Sequence, residues 1–125
     1  MMKENIILDK TYNFSIRIVR LYKFLSEKNE YILSKQILRC GTSIGANTEE
    51  AIGGISEKDF VAKLFVAYKE ARETHYWLRL LKDTNYIEEE LFNSLIEDCD
   101  EILKILYKII KSTQDNIKIK NDAKS

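Results

Sequence analysis

The sequence of 125 residues has no proline, four glycines, one histidine and no long apolar run. Because proline breaks helices and strands need turns roughly every 8 to 12 residues, this scarcity argues against an all-β fold and favours long helices. No stretch approaches the roughly 18 apolar residues of a membrane span, and the first residues do not resemble a signal peptide. We therefore expect a single all-α domain without a membrane partner.

Cysteine is scarce as well, and the two present, Cys40 and Cys99, lie far apart in the sequence. Each falls within a helical apolar pattern, which favours buried, reduced thiols over a disulfide or a metal site. Reduced thiols are typical of a reducing compartment, so the expected location is cytoplasmic.

The formal net charge is zero, but the charges are unevenly distributed. Residues 1–40 carry 8 basic and 4 acidic side chains (+4), residues 41–101 carry 6 and 14 (−8), and residues 102–125 carry 6 and 2 (+4). Solvated helix faces that complement the helix dipoles are the favoured explanation. The alternative is that the basic ends bind an anionic partner, RNA or a ribonucleoprotein. Its candidate contacts are Arg17, Arg20, Lys23, Arg39, Lys104, Lys108 and Lys111.

Apolar residues spaced three and four apart predict four helices. They cover about residues 9–28, 33–54, 56–81 and 88–112, and the third is expected to begin with Ser56 as its cap. After Ser112 the pattern is lost. The sequence thus predicts a four-helix bundle domain at 1–112 and a frayed or disordered tail at 113–125.

The second predicted helix carries small and polar residues beside its apolar stripe. Gly41 and Gly45 fall together on one side, and because glycine inside a helix is unfavourable by up to about 1 kcal/mol relative to alanine, they predict close approach of another backbone. Ser43, Asn47 and Glu50 fall on the other side. We expect these polar residues, with Lys69, Glu70 and Glu73, to set helix register; the alternative is a groove or central channel of an oligomer.

The third predicted helix is apolar on two sides. Its core stripe comprises Phe60, Leu64, Ala67, Ala71, Leu78 and Leu81. Val66, Trp77 and Leu80 fall roughly opposite that stripe, beside Glu70 and Glu73. One helix of a monomeric bundle needs a single buried face, so this second face predicts self-association, with these five residues as candidates for the interface.

The sequence offers no evident catalytic group. The single histidine, His75, lies beside the core stripe of the third helix, where a packed or hydrogen-bonded imidazole is favoured over catalysis. Helical di-iron sites need two Glu-x-x-His pairs, which a sequence with one histidine cannot supply. The spacing from Arg72 to His75 is also shorter than the Arg-to-His spacing typical of helical ribonucleases of the HEPN class. No glycine-rich phosphate loop is present. We predict neither catalytic activity nor a bound metal or cofactor.

Three segments carry a family resemblance: RCGTSIGANTEEA (39–51), SEKDF (56–60) and KEARETHYWLRLL (69–81). They resemble the four-helix-bundle family that includes proteins encoded by intervening sequences of 23S ribosomal RNA genes. The matching positions are Ser43, Ile44, Ala46, Asn47, Glu50, Asp59, Phe60, Ala67, Glu70, Glu73 and Leu78. Departures are Cys40, where serine or alanine is usual, and the pair Gly53 and Gly54.

This resemblance implies an antiparallel up-and-down bundle that assembles as a homopentamer and has no catalytic residues. The leading functional hypothesis is a non-enzymatic oligomeric protein of unknown cellular role, and it rests on the two apolar sides of the third helix and on the missing catalytic groups. A related branch is similar to the accessory subunit of diversity-generating retroelements, a basic pentamer that serves a reverse transcriptase. That branch implies the alternative function, an RNA- or ribonucleoprotein-binding accessory protein, although this chain has no net positive charge.

Overall fold

The computed structural model describes residues 3–124, and their side chains from Ile6 onward. Four helices account for almost all of this part: α1 Lys3–Glu27, α2 Leu33–Ile52, α3 Glu57–Asp83 and α4 Glu89–Lys124. No strand occurs among the described residues. The prediction of an all-α fold with four helices is confirmed.

The four helices enclose one apolar core. Both α1 and α3 pack against α2 and α4. The largest fully buried side chains come from every helix: Phe14, Ile7, Ile18, Leu25, Ile37, Ile44, Leu64, Leu78, Leu81, Leu95, Ile102 and Leu106. Helix α1 begins before the predicted Asp9, because Ile7 is fully buried and extends the apolar stripe by one turn beyond Thr11.

Asparagines end two of the helices. Asn29 after α1 and Asn85 after α3 have φ angles of 65° and 66°, in the left-handed region that asparagine tolerates better than most residues. At each end, the next residue donates its backbone N–H five residues back, from Glu30 to Leu25 (2.9 Å) and from Tyr86 to Leu81 (2.9 Å). These bonds satisfy helix-terminal carbonyl groups and turn the chain sharply.

Different side chains cap the N-termini of α2 and α3. Before α2, Glu30 accepts the backbone N–H of Ser34 (2.7 Å) and that of Ile32 (3.3 Å). Burial acts to raise the pKa of Glu30, but these backbone hydrogen bonds outweigh it and hold the pKa below its usual value. Before α3, Ser56 accepts the backbone N–H of Asp59 (3.2 Å), so the predicted cap is confirmed.

Helix α4 continues beyond Ser112, where the sequence pattern predicted fraying or disorder. It remains helical to Lys124, and most side chains after Thr113 are exposed. This polar segment is helical but contributes no buried side chain to the core. Its Lys120 forms an ion pair with Glu57 at the start of α3 (2.8 Å). The helix end is therefore corrected, while the division into a domain at 1–112 and a tail at 113–125 stays a prediction. Ser125 lies outside the described residues.

Within residues 3–124, none of the four helices combines the length and the apolar character needed to cross a bilayer.

Candidate interaction surfaces

The contact between α1 and α2 depends on two glycines. A Cβ atom added at Gly41 would lie 2.8 Å from Cγ1 and Cγ2 of Ile18, and one at Gly45 would lie 3.2 Å from the Ser15 hydroxyl oxygen and 3.3 Å from the Thr11 carbonyl oxygen. Real Cβ atoms essentially never approach as closely as at Gly41. The helices therefore pack at a separation that a side chain at position 41 would enlarge.

Charged pairs join α2 to α3 along one side, which we call the α2–α3 groove. Arg39 contacts the carboxylates of Glu70 (3.5 Å) and Glu73, and the Trp77 indole N–H donates to Glu73 (3.0 Å). Farther along, Lys63 pairs with Glu50 (3.0 Å). Every charged group named here has an opposite partner, so this groove joins the two helices within one chain.

Ser43 and Asn47 do not form the cross-helix hydrogen bonds expected of residues that set register. The Ser43 hydroxyl donates to the Arg39 carbonyl (2.6 Å), and the Asn47 amide donates to the Ser43 carbonyl (2.8 Å). Short polar side chains reach their own helix backbone more readily than a neighbouring helix. Of the predicted α2 row, Glu50 is the residue that pairs with α3.

The side of α3 directed away from the core, its outer face, carries exposed apolar residues. Phe65, Val66 and Tyr76 are 49%, 43% and 49% exposed. Leu80 is partly buried. Trp77 is also partly buried and packs against the core cluster, with its ring centroid 5.1 Å from that of Tyr76. Trp77 thus lies at the border of this face, while Phe65, Val66 and Tyr76 form its open part.

A second groove, the α3–α4 groove, has a different chemistry. It is lined by Tyr68, Arg72, His75, Arg79 and Leu103. His75 accepts from Nε of Arg79 through Nδ1 (3.2 Å), so its other nitrogen, Nε2, carries the proton and lies 3.1 Å from a carboxylate oxygen of Asp100. Both imidazole nitrogens are therefore engaged, in agreement with the prediction of a hydrogen-bonded histidine.

The predicted basic contacts lie on different sides of the molecule. Arg17 donates to Asp98 (2.7 Å) and to the Ser94 hydroxyl (2.9 Å) across the contact of α1 with α4. Arg39 belongs to the α2–α3 groove, and Lys111 pairs with Asp115 on α4 (3.5 Å). Four of the set are exposed and make no ion pair within residues 3–124: Arg20, Lys23, Lys104 and Lys108.

The buried thiols lie under α3, one on each side of it. Cys40 of α2 is 3.2 Å from the Thr74 hydroxyl oxygen, and Cys99 of α4 is 3.4 Å from the Ala71 carbonyl oxygen. Burial raises the pKa of Cys40 to about 11 and that of Cys99 to about 12. Both thiols therefore stay protonated at neutral pH, which makes them poor nucleophiles. Among the described residues, no group of histidine, cysteine and carboxylate side chains is placed to hold a metal ion.

The sequence prediction omitted four residues that the structure places on these surfaces: Phe65, Tyr76, Arg72 and Arg79. Phe65 and Tyr76, eleven positions apart, share one side of the helix because eleven residues make about three turns. Arg72 and Arg79, with Tyr68 and His75, follow the 4-3-4 spacing of a single helical row. The helical periodicity that identified the core stripe could therefore also have predicted the exposed apolar pair and the arginine row.

Comparisons with known proteins agree with this geometry. Residues 3–108 match the family described as 23S rRNA-intervening sequence protein. The chain is also similar to the crystal structure of a protein of unknown function from the S23 ribosomal protein family of Bacteroides thetaiotaomicron. The two are 54% identical with a TM-score of 0.86, over 88% of this chain and 99% of the other. No curated protein matches the sequence.

Proposed function

The chain belongs to the 23S rRNA-intervening sequence protein family, and we propose that it functions as a non-enzymatic, cytoplasmic homo-oligomer. The observation that carries this proposal is the exposure of Phe65, Val66 and Tyr76 on α3. This helix already buries a full stripe in its own core, from Leu64 to Leu81. An additional cluster of large apolar side chains is typical of a surface that another protein covers.

A second copy of the chain is the proposed partner. The outer face is flanked by the α2–α3 groove, in which each charged group named above contacts an opposite charge within one chain. Tyr76 and Trp77 supply large aromatic surface with few rotatable bonds, as interface centres commonly do. The family resemblance favours five copies in a closed ring.

The proposed subunit is an antiparallel up-and-down bundle. Position 41 of α2 lies against Ile18 of α1, and position 45 lies against Thr11, so residue numbers rise along α2 as they fall along α1. Short connections between consecutive, mutually packed helices also favour this topology.

The proposal of a non-enzymatic role is supported by the state of the reactive groups. The single histidine accepts a hydrogen bond at Nδ1 and lies 3.1 Å from an Asp100 carboxylate oxygen at Nε2, and the two cysteines are buried with raised pKa values. A nucleophile needs an accessible, deprotonated or base-assisted group. An assembly role requires none of these residues to react.

Light scattering of the full chain at micromolar concentration tests the assembly. One chain has a mass of 14.7 kDa, so a pentamer has five times that mass, about 74 kDa. The expected result is a single species near that mass over a tenfold dilution. A compact species of 14.7 kDa would overturn the proposal, and a different multiple would overturn the ring of five while retaining self-association.

A second proposed function is RNA or ribonucleoprotein binding, in the manner of an accessory subunit that serves a reverse transcriptase. It is supported by the exposed cations without a carboxylate partner, such as Arg20 and Lys104. A gel shift with structured ribosomal RNA, repeated at rising salt, tests it because phosphate contacts release counterions and weaken with salt. The absence of a shift even at low salt would eliminate this function without affecting the assembly proposal.

A further inference from the structure

We propose that the α3–α4 groove binds single-stranded nucleic acid, with Arg72 and Arg79 contacting phosphates and Tyr107 stacking on a base. The groove is lined by Tyr68, Arg72, His75, Arg79 and Leu103. This inference rests on the second proposed function and specifies the surface that performs it. This groove differs from the set of basic contacts predicted from the sequence, which includes neither Arg72 nor Arg79.

The two arginines have unused hydrogen-bond donors. Within residues 3–124, Arg72 is exposed and makes no ion pair or hydrogen bond. Arg79 donates through Nε to His75, while its two terminal NH₂ groups make no hydrogen bond in the described part of the chain. A guanidinium group binds phosphate through two parallel N–H donors, and these terminal groups supply them.

His75 and Tyr76 position Arg79. The imidazole accepts from Arg79 and its other nitrogen faces Asp100, so the histidine lies between the guanidinium and the carboxylate. The Arg79 guanidinium carbon also lies 5.8 Å from the centroid of the Tyr76 ring. A side chain held at its base loses less rotational freedom when its end binds a ligand.

The aromatic side of the groove favours nucleic acid over other anions. Tyr107 of α4 is 57% exposed, and its ring lies 6.3 Å from that of Tyr68 at a tilt of 47°. Because the rings are tilted rather than stacked, Tyr107 can still accept a base on its face. The row from Tyr68 to Arg79 extends about 16 Å along α3, enough for a short single strand. A peptide made only of acidic residues has no aromatic ring to stack there.

Fluorescence anisotropy of a labelled single strand of mixed sequence tests the proposal; the strand is about 12 nucleotides long, within the range that such grooves cover. RNA and DNA are measured in separate arms at about 50 and 200 mM salt. Wild-type protein is expected to bind at least one of them. The double variant Arg72→Gln/Arg79→Gln should bind at least about tenfold more weakly, and its slope of log affinity against log salt should be smaller by about 1.4, for two lost phosphate contacts.

The variant Tyr107→Ala should weaken binding about tenfold while leaving the salt slope unchanged, because stacking releases no counterions. The matched control is Lys35→Gln/Lys58→Gln, which removes the same charge from exposed positions that make no ion pair within residues 3–124. This control should bind as tightly as wild type within about twofold. Circular dichroism of every variant must retain the helical signal before its affinity is interpreted.

The outcomes separate this inference from the functions on which it rests. No binding by wild type in either arm overturns both the groove and the nucleic-acid function. Binding that the Lys35→Gln/Lys58→Gln control loses and the groove variant retains overturns only the groove. Displacement of the strand by a poly-glutamate peptide as readily as by unlabelled nucleic acid would identify a general anion surface, and would also overturn it.

Discussion

The two sides of α3 differ in whether their arginines are paired with carboxylates within the chain. On the α2 side, Arg39 lies between Glu70 and Glu73. On the α4 side, Arg72 has no partner within residues 3–124, and Arg79 uses only its Nε donor. One helix therefore carries a groove whose arginine is paired and a groove with unused donors, separated by an outer face where Phe65 and Tyr76 are exposed beside Lys69. Pairing within the chain, more than the number of charges, distinguishes a structural surface from one available to a ligand.

The core should be equally protected from solvent beneath both grooves. The labelling rates of the two buried thiols report this protection on each side of α3. Cys40 and Cys99 contact α3 at Thr74 and Ala71. We expect each to react with a thiol reagent at least about 1,000-fold more slowly in the native protein than in urea, because labelling requires opening of the fold. The measurement uses the variants Cys40→Ala and Cys99→Ala, each of which leaves one thiol. Rapid native labelling of one thiol would show that its side of α3 opens independently.

Alkaline pH extends the same test. The two thiols have pKa values of about 11 and about 12 in the folded protein, above the reference value of 9.0. Their contribution to stability is therefore complete below pH 9.0 and is lost as the pH rises toward the folded values. Urea denaturation should show wild-type stability falling above that pH, with a smaller fall in each alanine variant.

Self-association should depend on the outer face alone. Val66→Glu places a charge on the proposed interface, and desolvation of a carboxylate there is unfavourable enough to separate the subunits. The expected result by light scattering is a monomer of 14.7 kDa with an unchanged helical signal. Val66 is 43% exposed, so a folded monomer tolerates the change. Trp77→Glu should dissociate the assembly too. Because the Trp77 ring also packs against the core, this variant affects the fold as well as the interface, and Val66→Glu is the more specific test.

The matched control for Val66→Glu is Tyr107→Glu, an exposed position on α4. It introduces the same charge outside the outer face, so the mass of the assembly should not change. A loss of mass in this variant would place the interface on the α4 side and reverse the proposed division of α3.

Stability provides a smaller test of the comparison. Arg39→Gln should lower the free energy of unfolding by about 1 kcal/mol, because Glu70 and Glu73 lose their cation. Arg72→Gln removes the same charge from α3 without breaking a pair and should change stability by less than about 0.5 kcal/mol. Urea denaturation at low and high salt measures both. Equal losses would contradict the distinction between paired and unpaired arginines.

Periodicity and composition were enough to predict an all-α chain of four helices. Spacings of three and four placed the helices and core stripes, and Ser56 was identified as a cap because its position before a helical pattern is typical. The length of α4 was missed because its polar end has no apolar pattern to mark it, and the start of α1 was missed although Ile7 continues the apolar stripe. The grooves required three-dimensional information, since the sequence cannot show that Arg39 meets Glu73 while Arg72 meets nothing within the described residues.

Two-wavelength sedimentation velocity on a labelled single strand mixed with each of two variants tests the division of α3 most directly. The account predicts that Val66→Glu sediments as a monomer of 14.7 kDa with the strand bound, and that Arg72→Gln/Arg79→Gln sediments as the full assembly without the strand. If either variant loses both assembly and binding, the two sides of α3 do not have separate roles, and the account is contradicted.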